Sequence, residues 1–306
     1  MIAHTHCEDA DSVGCVRINY DKVQCGLASK NLAISSHGVD TTPFSVPWMA
    51  AVMQVDANEE GGMKFLGSAV VVHSGVVLTA SHLVDSFKAS NLKVIVGAHD
   101  LKAKDEEAFA RVQNVVKIIL HPRYNFAPLI NDLALLVLNT VIDTSTVVKP
   151  ICLPEDDASF VNKTCIFSVW GHASDINGAV DNELEMPVRK VNMHVISNNV
   201  CQYDMMRSAT FGPWLHMHSG FLCAIGDAHS NQRPCKGDAG GPLFCKVAET
   251  EGNEATFSLV GIASFGTSCA AGEEITPTVF MGIAKYSSWI DDVLGRLSDG
   301  FIEFNL

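Results

Sequence analysis

Three separated segments hold the residues whose types and spacing bear on chemistry. They are Leu78-Thr79-Ala80-Ser81-His82, Asn131-Asp132-Leu133-Ala134-Leu135-Leu136 and Cys235-Lys236-Gly237-Asp238-Ala239-Gly240-Gly241-Pro242-Leu243. An imidazole moves protons near neutral pH, and a carboxylate beside it fixes which ring nitrogen carries the proton. The third segment is glycine-rich, but its centre is Ala239, whose methyl group has no lone pair to attack a carbonyl and no proton to give up. A lone histidine after an apolar strand is ordinarily a core or surface residue, so His82 gains weight only from its company. Metal chemistry is not expected: there is no Cys-x-x-Cys pair and no histidine-rich cluster at ligand spacing, only His4, His6 and Cys7 near the start. His216-Met217-His218 reads as an ordinary loop rather than a copper site, and no cofactor is implied.

The elements that must position these segments are short β-strands. With 306 residues and 47% hydrophobic content, the chain can bury a large core. From Pro47 onward it runs in short apolar stretches rich in β-branched residues: Met49 to Val55, Ala69 to Val72, Val76 to Thr79, Leu92 to Val96, Val115 to Leu120 and Leu133 to Leu138. Gly61-Gly62, Ser74-Gly75, Asn125 and Asn177-Gly178 punctuate them, which predicts an all-β sandwich or barrel. Near the end, Trp289, Ile290, Val293, Leu294 and Leu297 repeat at helical spacing with Asp291, Asp292 and Arg296 opposite, predicting a closing amphipathic helix. Residues 1–33 are polar, hold Cys7, Cys15 and Cys25 and keep no periodicity, so they read as a disulfide-stapled extension ahead of a body at 34–306.

Charge and cysteine usage narrow the setting. A net charge of −13 disfavours nucleic acid and anionic membranes, which rely on lysine and arginine to neutralise phosphate. No apolar stretch approaches the ~20 residues that span a bilayer. Protein partners are the expectation. Ten cysteines in an even count suit an oxidising compartment, and Asn162-Lys163-Thr164 is an N-glycosylation acceptor, so the chain reads as secreted although no signal peptide is visible at Met1 to Glu8.

Taken together and in order, the three segments resemble the trypsin (chymotrypsin-like) serine protease family. Pro47-Trp48, Pro150-Ile151-Cys152-Leu153-Pro154, Val169-Trp170-Gly171 and Ser264-Phe265-Gly266 fall in the family's order around them, and the likeness covers roughly residues 34–297. It implies two six-stranded antiparallel β-barrels and a C-terminal helix. It also implies that His82 is the general base and Asp132 its orienting carboxylate, with Gly237 and Ala239 forming an oxyanion hole. The nucleophile's place falls to Ala239. Loss of the corresponding serine in a serine protease lowers turnover about 10⁶-fold.

Other departures from the family point the same way. Members with tryptic specificity carry an aspartate two residues before the cysteine of the third segment, where this chain has Arg233, so the implied specificity pocket of Arg233, Ser264, Phe265 and Gly266 would repel a basic side chain. Family activation frees an Ile-Val-Gly-Gly terminus after a basic residue, and its ammonium pairs with the aspartate matching Asp238. Here Ile34-Ser35-Ser36-His37 follows Ala33, with Lys30 the nearest basic residue, so Asp238 either finds another partner or keeps a zymogen-like arrangement. The resemblance pairs Cys165 with Cys245, Cys201 with Cys223, Cys235 with Cys269 and Cys25 with Cys152, leaving Cys7 with Cys15. Leu66 and Leu83 replace both ends of the bridge that usually locks the histidine loop.

Looser stretches, among them Cys201-Gln202, Phe211-Gly212, Leu215-His216 and Phe221-Leu222-Cys223-Ala224, are similar to the clip-domain serine protease homologues of arthropods, the masquerade-like branch. Only two cysteines precede Cys25, whereas a clip module needs six. That branch implies an inactive regulator in an extracellular proteolytic cascade of innate immunity, such as prophenoloxidase activation, with cascade proteases, their substrates or inhibitors as partners. Loops at 56–64, 172–185 and 247–256 are candidate contact surfaces. An alternative is an active serine endopeptidase whose serine at 239 was replaced; Arg233 and Ala33 weigh against it, since silencing an enzyme needs no change in pocket or activation site. A purely adhesive role is a third reading.

Overall fold

The computed structural model describes residues 25–29, 32, 43–55, 62–102, 109–144, 147–170, 187–226, 234, 237–250, 254–266 and 276–298. The first barrel is built from β2 (Met49–Val55), β3 (Met63–His73), β4 (Val76–Thr79), β5 (Leu92–Val96), β6 (Arg111–Leu120) and β7 (Ala134–Leu138), closed in the order β2-β3-β4-β7-β6-β5. The second uses β8 (Thr164–Val169), β9 (Arg189–Ile196), β10 (Phe221–Gly226), β11 (Pro242–Glu249), β12 (Glu254–Phe265) and β13 (Thr278–Gly282). Pairing of β12 with β13 closes the run β12-β11-β8-β9-β10-β13. All ladders are antiparallel.

The near-continuous apolar runs follow from burial on both faces of the strands. Side chains alternate along a strand, so Ala50 and Val52 of β2 fill the first barrel's interior with Val71, Val77, Val94 and Leu136, while Met49, Ala51 and Met53 face a second core. That second core lies between the barrels and includes Trp48, Leu78, Leu135, Trp170, Phe244 and Met281. The second barrel is filled by Phe167, Val191, Met193, Leu243, Val260 and Phe280, with the Phe167 and Phe280 rings edge to face at 5.6 Å.

Helix α2 (Ser287–Ser298) buries Ile290, Val293, Leu294 and Leu297 against the central core. No helix among the described residues is long and apolar enough to cross a membrane. Two elements lie where the sequence showed no periodicity. Strand β1 (Leu27–Ser29) pairs with β12, and Gly26 next to it donates to Pro150 and accepts from Phe257. Helix α1 (Asn198–Arg207) buries only Cys201 and Met205, and the Ser197 hydroxyl caps it by accepting from Val200 N–H at 3.4 Å. Disulfides join Cys25 to Cys152, Cys165 to Cys245 and Cys201 to Cys223. Cys7, Cys15, Cys235 and Cys269 lie outside the described residues.

Candidate functional site

The site forms where the two barrels meet. Strand β4 runs out through Thr79 into a short 3-10 turn, Ser81–Leu83, which carries His82. Ser81 anchors that turn by donating its hydroxyl to the Leu133 carbonyl at 2.6 Å. Asp132 stands just before β7 and is fully buried. Its Oδ1 accepts from the His82 backbone N–H at 2.8 Å, and its Oδ2 lies 2.7 Å from His82 Nδ1 and accepts from Ser264 Oγ at 2.5 Å. A carboxylate with three such partners holds the ring in the tautomer protonated at Nδ1, which leaves Nε2 for whatever enters the cleft. The His82 side chain is 21% exposed.

Packing behind Asp132 fixes this carboxylate. Asn131, at φ 54°, donates from its amide nitrogen to the Arg123 carbonyl at 2.7 Å and accepts from Tyr286 Oη at 3.1 Å. Tyr286 and Trp289 hold the His121 ring edge to face at 5.3 and 4.8 Å. His121 Nδ1 accepts from Arg123 N–H at 3.2 Å. Burial, reinforced by the Arg123 charge, pushes the His121 pKa down to about 4. Burial raises the Tyr286 hydroxyl to about 12.

The third segment reaches the same place from the second barrel. Ala239 accepts from Ser68 N–H through its carbonyl at 3.1 Å, and Gly240 N–H donates to Ala263 at 2.9 Å. Gly240 has φ 79°, and a Cβ there would sit 2.0 Å from the Ser68 carbonyl and 2.5 Å from Thr79 Oγ1. Only glycine allows so close a pass between barrels. A Cβ at Gly240 or Gly67 would meet the Leu83 side chain at 3.1 or 2.5 Å, so the Ala239 turn packs close to the residue next to His82. Leu66 and Leu83 both pack on the first barrel's core. Among the described residues neither Gly237 nor Ala239 donates its backbone N–H within the chain.

Asp238 is buried, and Arg189 Nη2 lies 3.8 Å from its Oδ2. Arg189 opens β9 and is itself buried. Two contacts thus escaped sequence reasoning. Ser264, read as a pocket residue, spends its hydroxyl on Asp132; Arg189 reaches Asp238 from a strand that the sequence left unassigned. Phe265 packs on Phe221 at 5.5 Å and Phe211 at 6.1 Å, while Gly266 is open, a Cβ there meeting only Thr278. Arg233, Lys30, Ala33 and Ile34 lie outside the described residues, as do Asp56, Glu59, Glu60, Glu251 and the 172–185 loop. Glu249 pairs with Lys246 and Glu254 with Lys149. His218 accepts from Gly220 N–H at 3.1 Å.

The family model described as Trypsin matches residues 36–290. The chain belongs to the trypsin family. Among curated proteins, it is 32% identical over 246 residues to "Inactive CLIP domain-containing serine protease A28" of Anopheles gambiae, covering 80% of this chain and 60% of that protein. It is 31% identical over 258 residues to "Phenoloxidase-activating factor 2" of Galleria mellonella, covering 82% and 81%. A third trypsin-family relative, "Inactive CLIP domain-containing serine protease A8" of Anopheles gambiae, is 30% identical over 250 residues, covering 80% and 63%. The chain therefore spans less than two thirds of the length of both mosquito relatives.

Proposed function

We propose that this chain is a catalytically silent trypsin-family protein that acts by binding other proteins in an extracellular proteolytic cascade. One observation carries this reading: His82, Asp132 and Ser264 stand hydrogen-bonded as a general-base system, and Ala239 occupies the turn that packs against it. The base has no hydroxyl to deprotonate there, so no acyl-enzyme forms. The amides of Gly237 and Ala239, with Ser264, Phe265 and Gly266 as pocket wall, bind a polypeptide segment without cleaving it. Arg189, 3.8 Å away, offsets the buried charge of Asp238.

The names of the inactive relatives and of the phenoloxidase-activating factor support a regulatory role, and the cascade we favour is phenoloxidase activation. The partners are cascade proteases, their substrates or inhibitors; nucleic acid, membrane and cofactors have no part. The test adds purified protein to prophenoloxidase and its activating protease. Enhanced phenoloxidase activity, with no peptide cleavage by this chain, is expected. No effect on activation and no binding to either component would count against the role. A second reading rests on the intact His82–Asp132 pair: a serine endopeptidase in which alanine has replaced the serine. It predicts that Ala239→Ser alone turns over small esters and amides, whereas a long-standing binder stays inert after that change.

A further inference from the structure

Asn162 belongs to the chain's one Asn-X-Ser/Thr triplet, and the structure presents it in a particular way. Phe160 to Lys163 form a β-turn, closed by Lys163 N–H donating to the Phe160 carbonyl at 3.0 Å, with Asn162 at φ 65°. Asparagine tolerates that left-handed region better than other residues bearing a Cβ. The turn is pinned to β9: Asn162 N–H donates to Val195 at 2.9 Å and Val195 N–H to Lys163 at 2.9 Å. Asn162 is exposed, and its side chain makes no hydrogen bond among the described residues. Thr164, which completes the triplet, is exposed as the first residue of β8.

Phe160 lies two residues before the acceptor and is only partly buried. With Val161, Val195, Leu222 and Val260 it lines a mainly apolar groove of about 300 Å³, which the ion-paired Asp157 and Lys285 also line. That is the lower end of small-ligand sites, room for one sugar ring and not for an oligosaccharide. Phe160 and Asn162 are two residues apart, so their Cα atoms lie within about 7 Å of each other and a group on Asn162 is within reach of the Phe160 ring. The C–H face of a pyranose is an apolar surface that an aromatic ring covers well.

We propose that Asn162 carries an N-linked oligosaccharide whose first sugar lies over Phe160 and closes the mouth of this groove. The donor is a lipid-linked sugar diphosphate of the secretory pathway. A bond forms between Asn162 Nδ2 and sugar C1, the bond from C1 to the diphosphate oxygen breaks, the diphosphate leaves with the electron pair, and one amide proton passes to a base. The attached sugar keeps the groove from being a partner's docking site. This goes beyond the binding role: the activation assay reads that role, and the mass and melting measurements below read the sugar.

The test is secretion of the protein from insect cells and measurement of its intact mass. The native chain should exceed the bare polypeptide by one glycan, Asn162→Gln and Thr164→Ala should lose it, and Thr164→Ser should keep it. A native mass equal to the bare polypeptide overturns the site. The second readout compares the protein trimmed to one sugar with the wholly deglycosylated form. The one-sugar form should melt about 2–4 °C higher, the size of shift a ~1 kcal/mol contact gives in a domain of this class. In Phe160→Ala the difference should vanish; equal melting of both native forms overturns the sugar's place on Phe160.

Discussion

The two barrels bring unequal halves to the cleft. The first supplies an oriented imidazole: His82 on the turn after β4, Asp132 before β7, and two hydrogen bonds between them. The second supplies Ser264, which joins that network, and then a turn whose central residue, Ala239, has no functional group. Its neighbour Asp238 is buried beside Arg189. The halves also differ in how they are held. Among the described residues every disulfide lies in the second barrel or ties the N-terminal segment to the stretch between barrels, while Leu66 and Leu83 hold the histidine turn by packing. The orientation of His82 is thus tied to folding, because Asp132 also satisfies buried donors that the fold must accommodate.

Breaking the intact half should have the largest effect. Asp132→Ala leaves His82 N–H, the His82 ring and the Ser264 hydroxyl without their acceptor and should lower unfolding free energy by about 3–5 kcal/mol in urea titration. If the loss were under ~1 kcal/mol, the network would not be structural. Removing a bridge from the other half, by Cys201→Ala with Cys223→Ala, should cost about 2–4 kcal/mol. Amide exchange should rise around α1 and β10 and stay unchanged in β2 to β7; acceleration in both barrels would erase the contrast between them.

Two smaller changes sharpen the contrast. Arg189→Met should cost about 1–3 kcal/mol, and adding Asp238→Asn should recover part of it, giving a coupling energy of at least ~0.5 kcal/mol in the double-mutant cycle. Simple additivity would mean that Arg189 does not serve Asp238. The last effect is absent at neutral pH and appears only as the pH falls. Because the His121 pKa is depressed from 6.5 to about 4 in the folded chain, the unfolded chain takes up the proton more readily. Stability from neutral His121 is full above pH ~6.5 and falls as pH drops toward 4. His121→Gln should flatten that slope in urea titrations between those pH values, with Arg123, Tyr286 and Asp132 left in place around it.

Much of this was legible in the chain because apolar runs and turn residues are local signals. Met49–Val55, Val76–Thr79 and Leu92–Val96 are strands with the ends that the sequence suggests, since each is bounded by residues that break a buried ladder. Strand β1 was hidden by its brevity, three residues in a polar stretch whose pairing partner β12 is distant in the chain. Helix α1 was hidden because Cys201 and Met205 alone make its buried stripe. At the site, the segments around His82, Asp132 and Ala239 stood out by their order. The Arg189–Asp238 contact joins residues with no shared local pattern, and Ser264 looked like pocket lining until its hydroxyl was seen on Asp132.

Catalytic silence is checked by incubating the native protein with a panel of small ester and amide substrates beside a His82→Ala variant. With only a methyl group at Ala239 beside the oriented imidazole, both should stay at the uncatalysed rate, with no burst of product. Saturable turnover by the native protein that disappears in His82→Ala would show that His82 still has a group to activate.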